Sequence, residues 1–213
     1  MVATELIEID ANAPDPDAID RAAATLRKGR VVAIPTDALY TLVADPFNLR
    51  AVSHVFVAKG RDMHRSLPLL IDSSIMAEDL TKELSVRFFL LARRFWPGPL
   101  TLIVPASPKV PLRVTGNTGR LALRQSRSAV AKALIGKLNQ PLISTSANIT
   151  GQPTCRSGID VFGTMDGRVD MVLDGGLCSG QGATTVDVTE ADWRLVKTGA
   201  IGEKEIAECL EGT

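Results

Sequence analysis

Histidine is almost missing from this chain of 213 residues: His54 and His64 are the only two. No Ser-His-Asp spacing and no metal-ligand spacing can be built around them, so a histidine-centred catalytic triad has no frame here. Cysteine is scarce as well. Cys155, Cys178 and Cys209 are widely separated, odd in number and without a close Cys or His partner, which excludes a zinc site and a disulfide framework and suits reduced thiols in a cytoplasmic protein. An excess of charge is also absent. The 24 basic and 24 acidic side chains cancel. A globally basic nucleic-acid binder depends on surplus Lys and Arg to displace phosphate counterions, so only a local basic patch remains open. No apolar run approaches the roughly 20 residues that span a bilayer, and no membrane partner is expected. The acidic stretch 1–10 has no apolar core of a signal peptide. Without a secretion signal, the sequon Asn148-Ile149-Thr150 carries no weight. No repeat, low-complexity tract or linker divides the chain, so residues 1–213 read as a single domain.

Apolar residues make up 45% of the chain and charged residues 23%, a composition that supports a substantial core. Asp15 to Lys28 reads as a helix, with Asp15 as cap, Pro16 in the first turn and Gly29 as stop. Val31 to Ile34 reads as a buried strand that delivers Pro35-Thr36-Asp37 to its carboxyl end. Leu49 to Ala58 reads as a helix and Leu67 to Ile71 as a strand, with Pro68 favouring an edge or bulge. Met76 to Phe95 is expected as one long helix. Leu100 to Val104 and Arg120 to Arg124 read as strands, separated by a long loop at 105–119. Ser128 to Leu138 is expected as a helix, Pro141 to Ser144 as a strand, and strands are expected near Thr184 to Val188 and Trp193 to Val196. A last helix follows Gly202. This alternation predicts an α/β fold with a largely central sheet.

Ligands in open α/β sheets bind outside the carboxyl ends of strands, and the polar clusters of this chain fall there. Lys59 and Arg61 flank a glycine and could grip a phosphate chain, the lysine as a point charge and the arginine as a fork; a solvated basic turn is the ordinary alternative. Ser144-Thr145-Ser146-Ala147-Asn148 offers hydroxyls, an amide and backbone N–H groups to a nucleotide, or else caps a helix. Arg124 ends an apolar strand and needs a partner, either a substrate carboxylate or a structural acid. The glycine-rich stretch 174–182 lacks the P-loop pattern and any dinucleotide fingerprint. These residues point to an anionic ligand on an α/β sheet.

Taken together, Pro35-Thr36-Asp37-Ala38-Leu39-Tyr40, Lys59-Gly60-Arg61, Phe95-Trp96-Pro97-Gly98-Pro99-Leu100-Thr101, Ser144 to Pro153, Thr184-Thr185-Val186-Asp187 and Gly199-Ala200-Ile201 resemble the YrdC/TsaC family, the threonylcarbamoyl-AMP synthases. The resemblance implies a twisted, open mixed sheet flanked by helices, with a concave, positively lined cavity. It implies ATP, L-threonine and bicarbonate as substrates, with Mg2+ accompanying ATP and no metal held by the protein. By the same resemblance, Thr36, Tyr40, Arg124 and Thr184 would contact threonine. Lys59, Arg61, Ser144, Ser146, Asn148 and Lys197 would contact ATP, with Lys59 and Arg61 serving the catalytic step. The product would pass to tRNA-modification transfer proteins, and tRNA or double-stranded RNA is a possible contact. Thr41 stands where the family usually has glycine and Lys197 where it usually has arginine. A divergent paralogue that binds RNA or ribosomes without synthase activity is the competing reading.

Overall fold

The computed structural model describes residues 3–211. In chain order its elements are β1 (Glu5–Glu8), α1 (Pro16–Arg27), β2 (Val32–Ile34), β3 (Thr41–Val43), α2 (Leu49–Lys59), β4 (Leu69–Ile71), α3 (Ser74–Leu80) and α4 (Val86–Phe95). There follow β5 (Leu100–Pro105), α5 (Leu112–Thr115), β6 (Arg120–Gln125), α6 (Ala129–Leu138), β7 (Leu142–Ile143) and β8 (Thr145–Ser146). The chain ends with α7 (Gly158–Met165), β9 (Met171–Asp174), β10 (Thr184–Asp187), β11 (Arg194–Lys197) and α8 (Glu203–Glu211).

Local chemistry sets the boundaries. The Asp15 side chain accepts from the Asp17 N–H and Pro16 occupies the first turn, so α1 starts where its cap permits. Asn48 caps α2, and Gly60 ends it in the left-handed region at φ 56°, a conformation glycine adopts without a Cβ penalty. That stop leaves Lys59 and Arg61 on either side of a sharp reversal. The stretch expected as one helix from Met76 to Phe95 is two helices. Thr81 is extended and bridges to Ala106, and Ser85 caps a new start through the Phe88 N–H. Both hydroxyl residues offer the backbone an alternative to continuing the helix.

The strands form two mixed sheets, where one largely central sheet was expected. The five-stranded sheet has the order β1-β9-β2-β3-β8, and the six-stranded sheet the order β11-β10-β5-β6-β4-β7. The expected strand at 141–144 explains the difference. It stops at Ile143, and at Ser144 the chain leaves the six-stranded sheet and enters the five-stranded one as β8. One apolar cluster joins the sheets through Ala33, Leu42, Leu69, Leu102, Leu123 and Val186. A second holds α1 and α6 against them through Ile19, Ala22, Val130, Leu134 and Met171. Each fully buried aliphatic side chain contributes about 1.5–3 kcal/mol, so docking of the sheets is driven mainly by these contacts. The stretch 105–119 carries α5, whose Val114 and Thr115 are buried. No helix among the described residues is long and apolar enough to cross a membrane.

Candidate functional site

A cavity of about 480 Å³ opens between the carboxyl end of β2, the α2 stop, the Ser144 crossover and the β10–β11 pair. Four cations reach its wall (Arg61, Arg65, Arg124 and Lys197), and no carboxylate of the described residues lines it. Thr36, Thr41, Ser144, Thr145, Ser146 and Thr185 add hydroxyls, and Leu39, Ile103, Ala122 and Val196 add apolar surface.

Lys59 does not line this wall. It is only 2% exposed and lies behind the Ser146–Asn148 turn. Its Nζ donates to the Ser146 carbonyl, to the Asn148 carbonyl at 2.9 Å and to Asn148 Oδ1 at 3.1 Å, and Ser146 Oγ donates to the same Oδ1 at 2.6 Å. All of these acceptors are neutral. Burial, with Arg61's charge nearby, lowers the Lys59 pKa to about 8. Asn148 turns its amide nitrogen to the carbonyls of Ile149 and Gln152, so its side chain shapes the turn and lies off the cavity wall.

Arg61 does face the cavity. Its Nη1 donates to Thr145 Oγ1 at 3.2 Å and its Nη2 to the Ser66 carbonyl at 3.0 Å, while its Nε is buried without a partner. Burial and the neighbouring Arg65 lower its pKa. Arg124, in β6, is 8% exposed. Its Nε donates to the Gly98 carbonyl at 3.0 Å and its Nη2 to Asp37 Oδ1 at 2.6 Å. Of the two partners open to Arg124 in the sequence, the structure already supplies an acid, and the guanidinium still reaches the cavity. Lys197 is exposed at the cavity rim.

The expected threonine contacts divide. The Thr36 hydroxyl accepts from the Ala38 and Leu39 N–H groups and donates to the Leu39 carbonyl, so it is consumed by its own turn. Tyr40 is fully buried; its hydroxyl bonds Asp174 Oδ1 and the Gly176 carbonyl and accepts from Gly175. Burial raises its pKa well above the usual phenol range. Thr184 lies off the cavity wall. It is 0% exposed, donates to the Ile201 carbonyl and accepts from Gly199 and Ile201, so its hydroxyl serves the β10–α8 connection, away from the cavity. Its neighbour Thr185 lines the wall instead. Strand alternation held that signal: Thr184 shares a face with apolar Val186, and Thr185 takes the other. Arg65 and Thr41 had no substrate assigned to them in the sequence, and Thr145 only as part of the Ser144–Asn148 loop; their approach depends on the Ser144 crossover, which no local pattern marks. Thr41 Oγ1 lies 3.0 Å from Ser144 Oγ and donates to the Thr145 carbonyl, which ties β3 to the crossover.

The sequence profile of the Sua5/YciO/YrdC family, described as telomere recombination, matches residues 24–199. The chain is 36% identical over 190 residues to a threonylcarbamoyl-AMP synthase of Pyrococcus abyssi, covering 89% of this chain and 56% of that protein. It is 35% identical over 201 residues to a threonylcarbamoyl-AMP synthase of Bacillus subtilis, covering 93% and 57%. It thus spans little more than half the length of these two relatives. The crystal structure of P. abyssi Sua5 complexed with L-threonine superposes with a TM-score of 0.93 at 35% identity, over 97% of this chain and 61% of that one.

Proposed function

The chain belongs to the Sua5/YciO/YrdC family, and from that premise we propose that its cavity makes threonylcarbamoyl-AMP from ATP, L-threonine and bicarbonate. The observation that carries the proposal is the wall itself, with four cations and no carboxylate among the described residues around about 480 Å³. Such a wall concentrates a polyanion and neutralises charge that moves during phosphoryl transfer. The likeness to synthases and to a threonine complex supplies the second substrate. It does not favour the non-catalytic, RNA-binding paralogue.

In this reading the threonine nitrogen adds to carbon dioxide derived from bicarbonate and loses a proton, giving a carbamate. A carbamate oxygen attacks the α-phosphorus, and pyrophosphate leaves with the electron pair of the broken P–O bond. The step needs alignment and charge neutralisation more than a protein nucleophile, which fits a chain without a triad. Arg61, with Arg65 and Lys197 at the rim, faces the phosphates. Lys59 fixes the Ser146–Asn148 turn against which the nucleotide lies. Arg124 meets the threonine carboxylate. Magnesium would arrive with the triphosphate, whose oxygens the donors of the wall suit. The adenylate would serve threonylcarbamoyladenosine formation in tRNA, handed on to a transfer protein in the cytoplasm.

Incubating the purified protein with ATP, magnesium, bicarbonate and L-threonine should yield threonylcarbamoyl-AMP by mass spectrometry. The product should vanish when threonine or bicarbonate is omitted. A folded, ATP-binding protein that makes none would remove the synthase reading and send the search to RNA.

A further inference from the structure

Asp37 and Arg124 belong to different sheets. Arg124 is in β6 of the six-stranded sheet, and Asp37 lies in the turn after β2 of the five-stranded one. Two of the three guanidinium nitrogens are fixed, Nε on the Gly98 carbonyl and Nη2 on Asp37 Oδ1. Among the described residues Nη1 has no protein partner, and Arg124 lines the cavity. Asp37 is itself held fast. Its Oδ1 also accepts from Ser126 Oγ and, at 3.2 Å, from the Arg127 N–H. On the other side Gly180 lies so close to the Asp37 and Ala38 carbonyls that a Cβ there would overlap both. A carboxylate with this many restraints does not swing away when a substrate enters. It therefore leaves Arg124 one nitrogen to offer and cancels most of its charge.

We infer that Asp37 is a positioning and specificity-determining residue: it holds Arg124 with Nη1 toward the cavity and keeps that end electrically neutral, so that it accepts a singly charged carboxylate and rejects phosphate. The inference rests on the threonine-carboxylate reading above. It explains how one cation-lined cavity can seat two anionic substrates without exchange. The triphosphate goes to Arg61, which pairs with no acid among the described residues, and the amino acid to Arg124, which does.

The test is steady-state product formation by wild type and Asp37→Asn. The variant should raise the KM for threonine by about 10- to 100-fold, the span set by losing a charge-assisted hydrogen bond, and leave the KM for ATP within about twofold. Inorganic phosphate should compete with threonine in the variant and not in wild type. In the background of Arg124→Gln, Asp37→Asn should add nothing to the threonine KM, because it acts through that arginine. Equal shifts in both KM values, or phosphate competition unchanged from wild type, would overturn the inference. If Asp37→Asn does not fold, Ser126→Ala removes only one restraint on Oδ1; a rise of about threefold in threonine KM alone supports the inference, and no rise overturns it. Wild type that forms no product defeats the proposed activity instead, so the two failures are separable.

Discussion

At one end of the cavity Arg124 meets a carboxylate at 2.6 Å. At the other, Arg61 on the wall and Lys59 buried behind it meet carbonyls, an amide oxygen and a hydroxyl. Both ends are basic in sequence and both cations nearest the core are buried, yet only one end is compensated. A charge that faces dipoles alone keeps most of its field and loses most of its hydration, and the cost appears as the lowered pKa values of Lys59 and Arg61. An external anion relieves that cost. The paired end has no comparable need and can afford to be selective.

The sharpest way to break the comparison is to remove one cation from each end and compare stability with affinity. Arg124→Ala strands the Asp37 carboxylate in a mostly buried place and should destabilise the fold by about 3 kcal/mol in denaturant unfolding. It should also raise the threonine requirement more than the ATP requirement. Arg61→Ala leaves no acid stranded. Its melting temperature should stay near wild type while triphosphate affinity, measured by calorimetry, falls by about 1.5–3 kcal/mol. A large loss of stability in Arg61→Ala with intact affinity would invert the assignment of the two ends.

A smaller effect is expected from pH. The Lys59 pKa, lowered to about 8, lies below its unfolded value, so the unfolded chain binds more protons between about pH 8 and the ordinary lysine range. Lys59's penalty on folding is therefore complete below pH 8 and is relieved as pH rises through that window. A bound anion favours the charged form, so triphosphate affinity should decline above pH 8. In Lys59→Met that decline should be absent, as isothermal titration at several pH values would show. The smallest effect belongs to Lys197, which is exposed at the rim. Lys197→Ala should cost about two- to threefold in triphosphate affinity, and the difference should shrink with added salt.

Strand and helix positions with strong local chemistry were legible in the sequence. The Asp15-Pro16 start, the Gly60 stop and the apolar runs at Val32–Ile34 and Leu100–Pro105 fall where capping and patterning put them. β1, β3, α5, α7, β8 and β9 were not legible there. Glu5–Glu8 is an acidic, largely exposed edge strand that exists because it pairs with β9, and Thr41–Val43 reads as the tail of a turn until β2 and β8 flank it. These are tertiary effects on short segments with no periodicity to display. The same limit applies to the site. The residue types of the basic cluster and the serine-rich turn were visible, whereas the burial of Lys59 behind that turn and the pairing of Arg124 with Asp37 depend on how the two sheets meet.

That meeting has a consequence for motion. The Arg124–Asp37, Arg61–Thr145 and Lys59–Asn148 bonds join residues 87, 84 and 89 positions apart, and the cavity wall runs from Thr36 to Lys197. No single element contains it, so a breathing motion that parts the sheets erases it whole. A ligand that binds only the docked form opposes this opening by RT ln(1 + [L]/Kd). Amide protons that exchange through this opening, in β2 and β6 alike, should therefore slow by one common factor when the cavity fills.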